Sequence, residues 1–124
     1  MDAGDQLMNP HSIAKAWLDA FNRHDLESLL FLYDDHAEHF SPKLKLRKPE
    51  TNGLIVGKNA MRSWWQEAFD RLPSLQYIEV SITANEDRVF MEYTRKVTGE
   101  EDLSVAELLE IRNGKIIRSR VYHG

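Results

Sequence analysis

Residues 103–123 read LSVAELLEIRNGKIIRSRVYH, two runs of period 2 on either side of Asn113-Gly114. Asn-Gly readily takes the left-handed backbone needed at both central positions of a type I′ turn, so the stretch predicts a two-residue β-hairpin. That turn sets Arg112 opposite Lys115, Ile111 beside Ile116, Glu107 beside Arg120 and Val105 beside Tyr122. Towards the N-terminus, residues 88–98 and 75–83 alternate in the same way, and the short gaps between runs predict a four-stranded antiparallel meander. The apolar pattern of the preceding hairpin matches best with Val97 facing Val105, Tyr93 facing Leu109 and Met91 facing Ile111, which pairs Arg95 with Glu107.

One face of this sheet then carries Ile78, Val80, Ile82, Met91, Tyr93 and Leu109, and is the only surface apolar enough to meet the rest of the chain. Arg95, Glu107 and Arg120 fall side by side within it. Charges on an apolar face are retained either as mutually satisfying pairs or for a ligand. With two guanidiniums to one carboxylate, one arginine is left to bind a carboxylate or enolate oxygen, and Tyr93 or Tyr122 can add a hydrogen bond. The opposite face has an apolar centre at Ala106, Leu108 and Val121. Such a face suits packing on a second copy, which predicts a homodimer through the outer sheet face.

Upstream of residue 75 the period lengthens to that of a helix. Ile13, Trp17, Ala20 and Phe21 recur at helical spacing after Ser12, and Asp25 is a good N-cap for a short helix bearing Leu26, Leu29, Leu30 and Tyr33. A third helix runs from about Asn59 to Leu72, with Met61, Trp64, Trp65 and Ala68 on one side and Pro73 to end it. Between the second and third helices lie a brief extended piece, Ala37–Ser41, and a stretch from Pro42 to Gly57 that reads as a long loop with room for a short strand at Leu54–Val56. Residues 1–11 read as a disordered lead and residues 12–124 as one domain.

The composition narrows the function classes. A chain of 124 residues with 42% apolar content supports one core. A net charge of -4 gives no general attraction to nucleic acid, and no run approaches the length of a membrane span. There is no cysteine, hence no disulfide framework or thiolate chemistry, which fits a cytoplasmic protein. His36 and His39 are spaced for a helix face but lie in a turn and strand, so no metal is expected, and no motif calls for a cofactor.

The stretches AWLDAFNRHDLESLLFLYDDHAEHFSP, Gly57 followed by NAMRSWWQEAF, and LLEIRNGKIIRSRVYHG together resemble the SnoaL-like, or ketosteroid isomerase-like, superfamily, which also holds nuclear transport factor 2. The resemblance implies an α+β, cone-shaped domain of three N-terminal helices on a curved, mainly antiparallel sheet, with a pocket between them. It also implies a class of activities: isomerase, polyketide cyclase or epoxide hydrolase. Ketosteroid isomerases place an aspartate base near the end of the first strand, where this chain has Glu38-His39-Phe40-Ser41-Pro42, so His39 is the candidate acid or base there. Cyclases of the family carry an acid late in the chain, where this one has Tyr122-His123, with His123 on the face opposite the trio. The Asp-Arg-Asp set of limonene epoxide hydrolase is replaced by Arg-Glu-Arg.

The candidate catalytic residues are therefore His39 and Glu107. Candidate ligand-binding residues are Tyr93, Arg95, Arg120, Tyr122, Trp64, Trp17 and Phe40. The expected partner is a small apolar or weakly acidic molecule with a carbonyl or carboxylate group. The competing expectation is a non-catalytic dimeric binding or interaction module whose charged trio is structural. The basic run Lys43, Lys45, Arg47 and Lys48 reads as a solvated flap at the pocket mouth, able to steer anions inward.

Overall fold

The computed structural model describes residues 8–124. Most of the expected lead, residues 1–7, lies outside the described residues. Helix α1 spans Pro10–Asn22, with Pro10 in its first turn and the Asn9 side chain accepting from the Ser12 N–H. It buries Ile13, Trp17, Leu18 and Phe21; each large side chain so removed from water is worth about 1.5 to 3 kcal/mol. His24 ends the turn after α1 with φ 54, and its Nε2 lies 2.8 Å from the carbonyl oxygen of Leu75. Helix α2, Leu26–Phe31, is capped by Asp25 as the sequence predicts.

Strand β1 is Tyr33–Phe40, longer than expected. The stretch after it is not a loop: Pro42–Arg47 forms a helix, α3, capped by Ser41. Pro42 therefore begins an element rather than ending one, because proline at the first helical position loses no hydrogen bond. A single 3₁₀ turn, Pro49–Thr51, leads to β2, Leu54–Val56, and then to α4, Lys58–Arg71. The meander follows as β3 Gln76–Ala84, β4 Arg88–Lys96, β5 Leu103–Arg112 and β6 Lys115–His123.

The six strands form one sheet in the order β2-β1-β6-β5-β4-β3. Only the β1–β6 pair is parallel. Helix α1 lies against β3 and β4, and α4 against β1, β2 and α2. The Asn22 side chain ties the end of α1 to β3, donating to the Tyr77 carbonyl and accepting from the Tyr77 N–H. Among the described residues no helix is long and apolar enough to cross a membrane.

Three register expectations are corrected. The Asn113-Gly114 turn forms, with φ 52 and 74, and pairs Ile111 with Ile116. Immediately beyond it Ile117 is an extra residue, because Glu110 pairs with Arg118. That bulge reverses the face of every later β6 residue, so Ser119 and Val121 turn inward while Arg118, Arg120 and Tyr122 turn outward. The reason is the cost of the alternative, which would bury two guanidiniums without partners. Turned out, Arg118 meets Glu38 and Glu110, and Arg120 lies over the Phe40 ring at 4.7 Å.

The β4–β5 pair is also shifted. Tyr93 faces Val105, Met91 faces Glu107 and Arg95 faces Leu103. The offset is an even number of residues, so the inner set is unchanged but Arg95 and Glu107 are parted. The connecting turn favours this register: Gly99 takes φ 87, Glu100 N–H donates to the Val97 carbonyl, and Lys96 pairs with Asp102. In β3 a bulge at Val80 sends Ile78 and Val80 to the exposed side and leaves Tyr77 and Ile82 towards the core.

Candidate functional site

Between α1, α3, α4 and the sheet lies a cavity of about 60 Å³, room for several ordered waters or part of a small ligand. One wall is an aromatic stack. Trp17 lies against Phe21 at 5.2 Å, Phe21 against Tyr77 at 3.9 Å, and Tyr77 against Tyr93 at 4.1 Å. Trp64 and Trp65 of α4 line the cavity together, although a helix turns about 100° between neighbours.

Glu107 lies against this cavity and is only 1% exposed. Its Oε1 accepts from the Tyr93 hydroxyl at 2.9 Å. Its Oε2 is the one buried side-chain polar atom among the described residues with no hydrogen-bond partner. Burial pushes the carboxyl up to about 8, and the Tyr93 bond offsets only part of that. The group is therefore mostly a neutral acid at pH 7. Tyr93 itself is raised well above its ordinary value, by burial first and then by the charge of Glu107.

His39, on β1, is equally enclosed. Its Nδ1 lies 2.6 Å from Ser119 Oγ, which lies 3.0 Å from the Tyr33 hydroxyl, which lies 3.1 Å from Trp17 Nε1. Proton positions along this chain follow from its end, since the indole N–H can only donate. Tyr33 accepts from Trp17 and donates to Ser119, and Ser119 donates to Nδ1. That leaves the proton of the imidazole on Nε2, in a cavity-lining ring with no acceptor for it among the described residues. Burial lowers His39 to about 4, so it is neutral in ordinary conditions. His36, three residues earlier, is exposed, and the two histidines are not brought together.

The charged trio does not form. Arg95 does line the cavity and is 7% exposed, but its partner is Glu100, at 2.8 Å, in the turn after β4. Arg120 and Tyr122 lie on the outer face, Tyr122 at 47% exposed, and Phe40 packs beneath Arg120 rather than in the cavity. Trp17, Trp64, Tyr93, His39 and Glu107 are all brought to the cavity. His123, expected on the other face, joins them because of the Ile117 bulge.

Sequence reasoning missed Ser119 and Tyr33, whose alternation and apolar neighbours mark them only as strand and core. It also read Lys43 and Arg47 as a flap. On α3 they stand four apart, hence on one helix face, and both reach the cavity lining together with Arg71 of α4. A lysine, two residues before an arginine flanked by leucines, is compatible with loop or helix; the Ser41-Pro42 cap was the available signal.

The family model for the SnoaL-like domain matches residues 14–119 of the chain. No curated protein matches it. Among solved structures, a SnoaL-like protein of unknown function from Burkholderia thailandensis is 24% identical, covering 91% of this chain and 92% of that one, with a TM-score of 0.82. A protein described as a candidate ketosteroid isomerase from Kribbella flavida is 18% identical over 93% of this chain and 77% of that one, at a TM-score of 0.76. A candidate polyketide cyclase from Sinorhizobium meliloti is 16% identical over 90% and 94%, at 0.75. At these identities the likeness is one of fold: an α+β cone with an open, mostly antiparallel sheet.

Proposed function

The chain belongs to the SnoaL-like domain family, and from that premise we propose that its cavity binds a small carbonyl compound on which Glu107 moves a proton. The observation that carries this reading is the unpartnered Glu107 Oε2 against the cavity. Folding has left a buried carboxyl oxygen without a protein partner, at a cost of about 1 to 3 kcal/mol, and a ligand donor at the cavity would complete it. A carboxyl near 8 is also close to the pKa at which a group both takes and returns a proton at neutral pH.

In the proposed step the ionised fraction of Glu107 takes a proton from a carbon next to the carbonyl. The C–H bond breaks, an O–H bond forms on Oε2, and the electron pair moves to the carbonyl oxygen as an enolate. His39 Nε2–H donates to that oxygen, and its low basicity keeps it a donor without adding charge. Tyr93, bonded to Oε1, holds the carboxyl so that Oε2 carries the proton. Return of the proton to a second carbon gives isomerisation; attack by the enolate on a second carbonyl gives cyclisation.

The test is exchange of α-protons for deuterium in a panel of aryl ketones, followed by NMR. Exchange by the wild type that is lost in a folded Glu107→Gln variant is expected. Equal exchange by the two proteins overturns the role. A non-catalytic module held by a structural trio loses its premise, since Arg95 and Arg120 lie on opposite faces.

A second copy of the chain is proposed as the partner of the outer sheet face. Ile78, Val80, Phe90 and Tyr122 are all exposed, Val80 at 64%, and the same face carries both Glu92 and Arg120, a self-complementary pairing of charge. Light scattering after gel filtration should give twice the chain mass, and Val80→Asp with Phe90→Asp should give one. A wild type that stays monomeric overturns this assignment.

A further inference from the structure

The floor and the mouth of the cavity differ in charge. On the floor, Glu107 is held mostly neutral and His39 is neutral, and around them stand Trp17, Tyr77 and Tyr93. At the mouth, Lys43 and Arg47 from α3, Arg71 from α4 and Arg95 from β4 converge, with His123 from β6 beside them. One anion answers them: Glu100, paired to Arg95 through a single N–H. The remaining guanidinium N–H groups of Arg95 have no protein acceptor among the described residues, and Lys43, Arg47 and Arg71 have no hydrogen bond from their side-chain nitrogens to the protein either.

This concentration runs against the chain's overall charge of -4. Cations repel one another, and here the repulsion is felt: burial first, then Arg95, Arg71 and Arg47 hold the Lys43 ammonium below its ordinary value. A buried Arg95 with unused donors, facing three further cations across an opening, is an arrangement that an anion would stabilise. The floor offers such an anion no positive charge, since His39 is neutral, Glu107 is mostly so and the walls are aromatic.

We propose that the mouth is a carboxylate subsite, so that the ligand of this cavity is an aromatic or apolar acid bound with its carboxylate at Lys43, Arg71 and Arg95 and its apolar body towards Trp17 and Trp64. This rests on the reading of the cavity as a ligand site and adds the class of ligand. Guanidinium forks match a carboxylate in plane, which an amide of the same shape does not satisfy. Glu100 is a competitor for Arg95 in the empty site, and a bound acid displaces it.

The experiment compares phenylpropanoate with phenylpropanamide by calorimetric titration at low and high salt. The proteins are the wild type, Arg47→Glu, Arg71→Glu, Glu100→Gln and Glu107→Gln. Arg47, Arg71 and Glu100 are exposed, so these three variants test charge without touching the core. The acid should bind the wild type about tenfold or more tighter than the amide, and added salt should narrow the gap. Arg71→Glu should remove most of that preference and Arg47→Glu, through the charge it adds at the mouth, should reduce it, whereas Glu100→Gln should strengthen acid binding by freeing Arg95. Acid and amide binding equally, neither binding, or a preference that survives both reversals overturns the subsite. Glu107→Gln separates the two readings: if the wild type shows no proton exchange while Glu107→Gln still prefers the acid, the subsite stands and the proton-transfer reading fails.

Discussion

Glu107→Gln keeps the shape of the side chain and its acceptor for Tyr93 while removing the ability to ionise, so it isolates one titration. In the folded chain the carboxyl is moved from 4.5 to about 8, chiefly by burial. A raised folded value means that the native state holds the proton more tightly than the unfolded chain. The stability tied to this group is therefore complete below about pH 4.5 and is lost as pH rises towards about 8, beyond which the native state carries a buried carboxylate. At about 1.4 kcal/mol per pH unit, the whole loss amounts to about 4 to 5 kcal/mol. The variant has no such loss. Urea unfolding followed by tryptophan fluorescence, run from about pH 5 to about pH 9 on both proteins, should show the wild type falling relative to the variant across that window. Any fixed cost of fitting the amide, on the order of 1 kcal/mol, shifts the difference without giving it a slope. At the alkaline end Glu107→Gln should be the more stable protein. A difference that does not change with pH would refute the claim that Glu107 is buried without a charge partner.

His39 should mark the acid side of the same profile. Its folded value lies near 4 against an ordinary 6.5, so stability present above pH 6.5 is lost as pH falls towards 4, by about 3 kcal/mol, and His39→Gln should abolish that limb in the same unfolding series. Ser119→Ala leaves the Tyr33 hydroxyl proton without an acceptor and His39 Nδ1 without a donor, at a cost of about 1 to 3 kcal/mol; ¹⁵N spectra of the imidazole should shift from a single Nε2–H form to a mixture, and an unchanged spectrum would refute the relay. Arg120→Ala should change stability by less than about 1 kcal/mol and leave phenylpropanoate titrations unaltered; loss of binding would return Arg120 to the cavity. Gly53→Ala adds a Cβ 2.8 Å from the Phe40 ring at φ 87, and thermal unfolding should show a loss of about 1 to 3 kcal/mol.

The contrast between the well-read and misread residues has a common cause. Asn113-Gly114, Asp25 and the Trp17–Phe21 spacing act through the nearest few residues, and each formed the turn, cap or helical face that local chemistry predicts. Glu107, His39, Tyr93, Arg95, Trp17 and Trp64 reached the cavity because strand and helix periods place them inward irrespective of the exact partner. Their roles are another matter, since burial, and not identity, neutralises Glu107 and His39.

Pairing along the sheet could not be read in the same way. Alternation repeats every two residues, so sliding β4 against β5 by an even number keeps every side chain on its face and leaves the apolar pattern satisfied. The pattern is silent about which pairing holds, and the turn contacts around Gly99 and Glu100 settle it. The bulge at Ile117 is harder still to foresee. It exchanges a ladder pairing for the solvation of Arg118 and Arg120, a comparison that exists only once β1 supplies Glu38 and Phe40 beside them. Local sequence thus determined most of the elements, though not α3 or the start of β1, and the turn that joins the last two strands. Which charges meet, which histidine is enclosed and where the cations gather depended on competition for burial among segments distant in the chain, and that competition is resolved only when they pack together.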